Sequence, residues 1–424
     1  MRAISRRTAL ASGLATGVAL TLAACGGGED SGGSDGKITG NLTFSFWDQN
    51  QKVAIDQHIA EFVKLHPEVS ITTSITPYSQ YWTKLQTQAE GDNLPDLFWM
   101  NGPHIELYAS NGMLEPLDDL ADVSWDNYPQ ALVDLYTVED KHYGVPKDYD
   151  TVAVFYNKKL FDAAGVAYPQ EDWTWEDFTT TANTISTALK DDGVYGVATG
   201  LAGGQEGWYN TVHQAGGFII EDGKSGYDHD ASIKGIEFWK ELIASGASPS
   251  LEAMADTKPN VMFESEKAAM IWSGTWIVSE FAEKLPNKDH VDIAPLPKGE
   301  QRASVIHGLT TVVAAGSENK AAAKAFVSFL AQKEQHLREA ELGIANPAFN
   351  GTQETFQDSQ PQWNMKAFAE AATDYAVPYP VSRNTQVWND FEEQLLPDAF
   401  SGKRDVSEVC KELAAKMNEA LQSE

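Results

Sequence analysis

Two hydrophobic rhythms alternate along most of this chain. Residues Asn41-Leu-Thr-Phe-Ser-Phe-Trp47 repeat every second position, the period of a strand with one buried face. Val53, Ile55, Ile59, Phe62, Val63 and Leu65 then follow at helical spacing, and Pro67 ends the run. Val69–Ile75 predicts a second strand, Tyr78–Glu90 a second helix and Asp96–Met100 a third strand. This order is the signature of a mainly parallel sheet with crossover helices. Strands are predicted again over 153–156, 195–198, 268–272 and 308–314, with extended chain over the prolines of 292–297. Trp173-Thr-Trp-Glu-Asp-Phe178 reads as a helix start capped by Thr174. Helices are expected over 232–245, 258–266, 319–341, 363–373 and 386–420.

The first residues follow neither rhythm. Arg2, Arg6 and Arg7 precede a weakly apolar run that ends in Leu22-Ala-Ala-Cys25-Gly26, and no acid occurs before Glu29. The pattern is that of a secretory signal over residues 1–24. Ser5-Arg-Arg-Thr8 leaves both the general and the twin-arginine export routes open. Small residues before a cysteine resemble the bacterial lipobox, so Cys25 is expected to carry acyl chains that anchor the protein to the cell membrane on its outer side. Residues 25–38 are rich in Gly, Ser and Asp and read as a flexible tether. The body beyond is long enough for more than one lobe.

The formal net charge is −30. It argues against nucleic acid as a partner and against direct adsorption to an anionic bilayer. Cys25 and Cys410 are the two cysteines. With Cys25 acylated no intrachain disulfide is available, and Cys410, in an apolar helical stripe, reads as core. No nucleophile elbow, metalloprotease helix, phosphate loop or Cys-x-x-Cys occurs, and the nine His are scattered. Neither a catalytic set, a metal site nor a cofactor is therefore assigned. Acid pairs such as Asp118-Asp119, Asp191-Asp192 and Glu392-Glu393 read as solvated faces.

The aromatic load is more informative: 12 Trp, 14 Tyr and 18 Phe. Trp47-Asp48-Gln49-Asn50 closes the first strand and Trp99-Met-Asn101-Gly102 the third. Ligand crevices in open α/β sheets lie beyond the carboxyl ends of strands. An aromatic face there can stack on a sugar ring while Asp and Asn bond its hydroxyls.

Several segments, in order, resemble the carbohydrate branch of the extracellular solute-binding proteins of ABC importers, the branch that includes maltose-binding protein. They are Leu94-Pro-Asp-Leu-Phe-Trp-Met-Asn101, Tyr143-Gly-Val-Pro146, Val154-Phe-Tyr-Asn-Lys158, Trp173-Thr-Trp-Glu-Asp-Phe178, Gln214-Ala-Gly-Gly-Phe218, Ala269-Met-Ile-Trp-Ser-Gly-Thr-Trp276 and Ala294-Pro-Leu-Pro-Lys-Gly299. The resemblance implies an α/β, two-lobed fold with the ligand held at the hinge: residues 39–150 with 305–350 as one lobe, 151–304 with 351–424 as the other. It implies an oligosaccharide ligand, ABC permease transmembrane subunits as partners and a monomeric receptor. Carried over, the ligand contacts are Trp47, Asp48, Asn101, Asp150, Trp208, Tyr209, Trp276, His307, Gly308 and Trp388. The loop at Asp48 lacks the basic residue that maltose-binding protein carries there, although Lys52 is near, so the sugar need not be maltose. A surface-anchored glycan hydrolase, a receptor for a non-sugar solute such as a polyamine, and a structural lipoprotein remain as rival readings.

Overall fold

Strand β1 (Gly40–Phe46) turns Leu42, Phe44 and Phe46 into the interior, and helix α1 (Lys52–Leu65) covers them with Ile55 and Phe62. Each side chain so enclosed contributes about 1.5–3 kcal/mol of transfer free energy. The computed structural model describes residues 38–424; Cys25, the signal 1–24 and the tether as far as residue 37 lie outside the described residues. β2 (Val69–Ile75), α2 (Tyr78–Glu90), β3 (Leu97–Asn101), α3 (Gly102–Ser110) and β4 (Val145–Asp150) follow. After Thr151 the chain enters a second sheet at β5 (Val152–Asn157). It continues through α4 (Trp175–Ala188), β6 (Tyr195–Val197), α5 (Trp208–Gln214), α6 (Asp230–Ala244), β7 (Ala268–Gly274), α7 (Val278–Lys284) and β8 (Val291–Ala294). The long β9 (Ser304–Val313) rejoins the first sheet. Then come α8 (Lys320–Leu330), α9 (Lys333–Glu341), α10 (Lys366–Asp374), β10 (Ala376–Pro378), α11 (Thr385–Phe400) and α12 (Val406–Gln422), with short helices and hairpins between.

The first sheet has the order β10-β9-β3-β1-β2, with β4 also paired to β9; the second is β8-β5-β7-β6. Both are mainly parallel in direction. In the first, β9 and β10 run against the rest; in the second, β5 runs against its neighbours. The reversed strands are those beside the passages between sheets. Ser304 fastens one passage, its hydroxyl accepting from Val152 N at 2.9 Å and donating to Val152 O at 3.1 Å. Each sheet is packed on both faces, giving a two-lobed molecule.

Several local expectations hold, and several need correcting. Thr174 and Asp177 form a reciprocal capping box at the start of α4, with Asp177 N donating to Thr174 Oγ1 at 3.2 Å and Thr174 N to Asp177 Oδ2 at 2.8 Å. The predicted helix over 319–341 is two helices, because Gln332 is extended (φ −75°, ψ 146°) and starts α9 anew. The stretch 386–420 is likewise split. Gly402, at φ 70°, turns the chain, and Asp405 caps α12 by accepting from Glu408 N at 3.1 Å. Strand β10 and the hairpin of Thr137–Val138 with Lys141–His142 are too short for a period to announce them.

Candidate functional site

The turn between β1 and α1 holds Trp47 and Asp48. Trp47 meets Tyr81, Trp99 and Tyr78 edge-on at centroid distances of 4.9, 5.0 and 5.4 Å, an arrangement favoured by the ring quadrupoles. Tyr78 is 53% exposed, so this aromatic group presents one open face. Asp48 Oδ1 accepts from Asn50 N at 2.8 Å, and burial raises its carboxyl above the ordinary value. At the end of β3, Asn101 is buried and bonded on both sides. Its Oδ1 lies 2.8 Å from His104 Nδ1, and its Nδ2 donates to the Tyr78 hydroxyl at 3.4 Å. His104 stacks flat on Trp82 at 3.5 Å and reaches Gln386 Oε1 on α11 at 2.8 Å. A surface ion pair, Glu106 with Arg383, lies alongside. These contacts tie the first lobe to the helices packed on the second.

Asp150 ends β4, where the chain leaves the first sheet. Its carboxyl accepts the Thr275 hydroxyl from the other lobe, and burial, then the charge of Asp148, pushes it up to about 8. Thr275 belongs to the turn Gly274-Thr275-Trp276 after β7. A Cβ on Gly274 would lie 1.9 Å from Cζ3 of Trp276, so the indole folds back over its own backbone and only glycine fits beneath it. Trp276 stays half-buried. Beside it, Glu206 accepts from Ser273 Oγ at 2.8 Å, and burial pushes its carboxyl up to about 7. Tyr379, half-buried after β10, tilts over His307 at 4.5 Å and meets Tyr209 edge-on at 5.4 Å.

The expected contacts thus divide. Trp47, Asp48, Asp150 and Trp276 keep partly open side chains. Asn101 is buried by its bonds to His104 and Tyr78. The remainder are buried in packing and hinge positions. Trp208 lies between Tyr209 and Phe400, its Nε1 donating to the Tyr227 hydroxyl at 2.8 Å. Trp388 is fully enclosed in the second-lobe core, with Nε1 donating to Ser382 Oγ at 2.9 Å. Tyr209 donates to Glu392 Oε2 at 2.7 Å. His307 Nε2 accepts Gly102 N, the first free amide of α3, at 3.1 Å, and burial pushes its imidazole down to about 3. The Gly308 carbonyl accepts the Tyr136 hydroxyl, and a Cβ there would lie 2.4 Å from the Asp148 carbonyl. Glu392, read as solvated, is buried between Tyr209 and Tyr227, with its carboxyl pushed up to about 7 by burial.

Sequence reasoning missed Tyr78, His104, Glu206, Thr275 and Tyr379. The only local signals were Tyr78 opening a helix after Pro77 and Tyr379 between Pro378 and Pro380. The assembled cleft offers aromatic faces together with buried carboxyls that bond hydroxyls in either sense, donating when protonated and accepting when ionised. No group of three or more His, Cys, Asp or Glu that could hold a metal occurs among the described residues.

Comparison with known proteins fits this geometry. The galactooligosaccharide-binding protein of Bacillus subtilis is 25% identical over 410 residues, covering 95% of this chain and 94% of that one. The diacetylchitobiose-binding protein of Streptomyces coelicolor is 24% identical, over 87% and 86%. Among solved structures, an ABC substrate-binding protein of Listeria monocytogenes in complex with cycloalternan superposes with a TM-score of 0.84. It is 24% identical and covers 90% of this chain and 99% of its own. The GacH receptor of Streptomyces glaucescens, solved unliganded and with acarbose, gives 0.80 at 23% identity, over 91% and 99%. Residues 48–336 match the bacterial extracellular solute-binding protein family, and with the two-lobed fold and the cleft at its hinge, the chain belongs to that family.

Proposed function

We propose that this protein captures an oligosaccharide between its lobes and delivers it to the membrane subunits of an ABC importer, without catalysis. One observation carries the reading: Asp150, at the crossing between the lobes, accepts the Thr275 hydroxyl from the second lobe and feels the charge of Asp48 from the first, and the half-buried Trp47 and Trp276 sit beside those two residues in their turns. Stacking surfaces beside hydroxyl-bonding carboxyls are what a pyranose presents partners for, and a ligand touching both lobes stabilises the closed form over the open one. The sugar-binding relatives named above support the ligand class. Cys25, acylated after removal of residues 1–24, would hold the receptor at the outer face of the membrane by a flexible tether. No helix among the described residues is long and apolar enough to cross a membrane, which leaves the lipid as the anchor in this reading. The lobes are assigned as 39–150 with 305–350 and 151–304 with 351–424, apart from β10 (376–378), which pairs with β9 in the first sheet.

The carboxyls of Asp48, Asp150 and Glu206 favour one second reading, a cationic ligand such as a polyamine. Titration calorimetry with a panel of neutral oligosaccharides, an amino sugar and spermidine separates the two. Micromolar or tighter binding of a neutral oligosaccharide, with quenched Trp fluorescence and no new reducing ends, is the expected result. Heat from spermidine alone would transfer the assignment to the polyamine class, and release of reducing ends would make the protein a hydrolase.

A further inference from the structure

Glu392 sits on α11 with 2% of its surface exposed, too enclosed to touch a ligand. Its carboxyl takes donors from three residues. Tyr227, just before α6, donates to Oε1 at 2.5 Å; Tyr209 of α5 donates to Oε2 at 2.7 Å, and Asn389, one turn back on α11, at 2.9 Å. Each tyrosine oxygen in turn accepts, Tyr227 from Trp208 Nε1 at 2.8 Å and Tyr209 from Asn389 Nδ2 at 3.0 Å. Both hydroxyl hydrogens therefore have the carboxyl as their acceptor. A leucine would fill the same core position without the penalty of enclosing a carboxyl. What the carboxyl adds is direction, because a satisfied buried network fixes the side chains that join it.

Tyr209 is the member whose placement reaches the cleft. Its ring lies against Gly204, where a Cβ would come within 2.3 Å of Cε1, and its backbone N donates to the Gly204 carbonyl at 3.1 Å. That glycine belongs to the loop 200–207, which carries Glu206 to Ser273 at 2.8 Å, just before the Trp276 turn. The same ring meets Tyr379 edge-on at 5.4 Å, and Tyr379 tilts over His307 at 4.5 Å. Two cleft groups from separate segments, Glu206 and Tyr379, thus rest on one phenol whose hydroxyl Glu392 holds. Tyr227, by contrast, bonds Glu392 and Trp208 within the second-lobe core.

We infer that Glu392 is a positioning residue for sugar capture: through the Tyr209 hydroxyl it fixes the ring that supports the Glu206 loop and Tyr379. The inference rests on the oligosaccharide reading above. The test uses the full chain, with ladders of α-1,4-gluco- and β-galacto-oligosaccharides from monosaccharide to hexasaccharide in titration calorimetry; the member that binds the native protein most tightly is then the probe for the variants. Tyr209→Phe should raise its Kd by about tenfold, and Tyr227→Phe should leave it within about twofold. Both changes take one hydroxyl from the same carboxyl, so a merely structural role would move the two Kd values alike. Glu392→Leu should match Tyr209→Phe, and the two combined should bind within about twofold of Tyr209→Phe alone, since both act through one contact. If Glu392→Leu fails to fold, the two Phe variants still decide. Equal Kd values for Tyr209→Phe and Tyr227→Phe, or losses that multiply in the double variant, would overturn the positioning role while leaving sugar capture intact. No heat from any member of the ladders with the native protein would overturn the saccharide reading itself, and the positioning role with it.

Discussion

Lys147 is the residue whose removal the structure makes most consequential. Its Nζ lies 2.8 Å from Asp148 Oδ2, 2.8 Å from Glu339 Oε2 and 2.7 Å from Gln51 Oε1, with the Trp99 ring 5.4 Å away. Only 13% of the side chain is exposed. One ammonium thus neutralises two enclosed carboxylates and ties β4, α9 and the start of α1 beneath the Asp48 turn. Lys147→Met keeps the stem and deletes the charge. Breaking a buried pair by removing one partner costs about 3–5 kcal/mol, because the other charge is left enclosed. A second route gives a similar size. Burial by itself would raise Glu339; Lys147 and the His58 bond overcome it and hold the carboxyl at about 2, against 4.5 unperturbed. At about 1.4 kcal/mol per pKa unit, that difference is roughly 3 kcal/mol at neutral pH.

The pH dependence distinguishes this explanation from a packing defect. In the native protein Glu339 has a folded-state pKa below its unfolded one. Its contribution is fully present above about pH 4.5 and is lost as pH falls towards 2. In Lys147→Met the sign reverses for Glu339: burial raises it above its unfolded value, as burial already raises Asp148 in the native protein and would raise it further without the ammonium, so the folded state holds extra protons and loses stability as pH rises. The deficit should therefore be larger at pH 8 than at pH 5. His58 Nε2, 3.2 Å from Glu339 Oε1, and His336 face the same carboxylate, and repeating the comparison in a His58→Gln background separates imidazole from ammonium. Urea unfolding followed by Trp fluorescence supplies the free energies. A loss below about 1 kcal/mol at pH 7, or a deficit independent of pH, refutes the electrostatic account.

Further outcomes follow from the cleft and the core. Trp276→Ala should weaken sugar binding by about ten- to a hundredfold in calorimetry, the range expected for losing about 1–3 kcal/mol of stacking, with little change in melting temperature. Asp150→Asn should weaken the ligand yet melt higher than the native protein at pH 8. The native carboxyl, raised to about 8 by burial, loses stability as pH climbs through that value, and the amide does not; equal melting curves at pH 5 and pH 8 would contradict this. Gln386→Ala combined with Arg383→Ala removes the links to His104 and Glu106, and should increase the radius of gyration in solution scattering. Cys410, fully buried with its thiol pushed up to about 12, should resist iodoacetamide at pH 8 until the protein unfolds.

What could be read from the sequence depended on how local its cause was. Helix α2 and the capping box of Thr174 and Asp177 are set by neighbours within a few positions, so pattern found them. The destinations of the tryptophans are not local. Trp276 and Trp388 both stand among mixed polar and apolar residues, yet Trp276 borders the cleft because Gly274 lets its ring fold back. Trp388 is enclosed because α12 packs across α11. Lys147 gave no signal in Val-Pro-Lys-Asp-Tyr, since its partners Glu339 and Gln51 arrive from distant segments. Glu392 looked solvated beside Glu393 for the same reason, as Tyr209 and Tyr227 reach it from the other side of the lobe.

The contact between Asp150 and Thr275 bears on how capture can be selective. A carboxyl enclosed at a hinge is unfavourable unless something donates to it, and here the donor is a hydroxyl of the opposite lobe. A sugar hydroxyl is the like-for-like replacement: it can take the place of Thr275 with one neutral O–H···O bond exchanged for another and no charge created. A methyl or methylene group at the same place would leave the carboxyl unpaired, at a cost of about 1–3 kcal/mol, or roughly ten- to a hundredfold in affinity. If a sugar hydroxyl takes that place, deoxy analogues should be rejected, and Thr275→Val, which removes the competing hydroxyl while keeping the shape, should tighten sugar binding. Weaker binding by Thr275→Val would mean that the threonine holds the carboxyl in place for the ligand and does not compete with it.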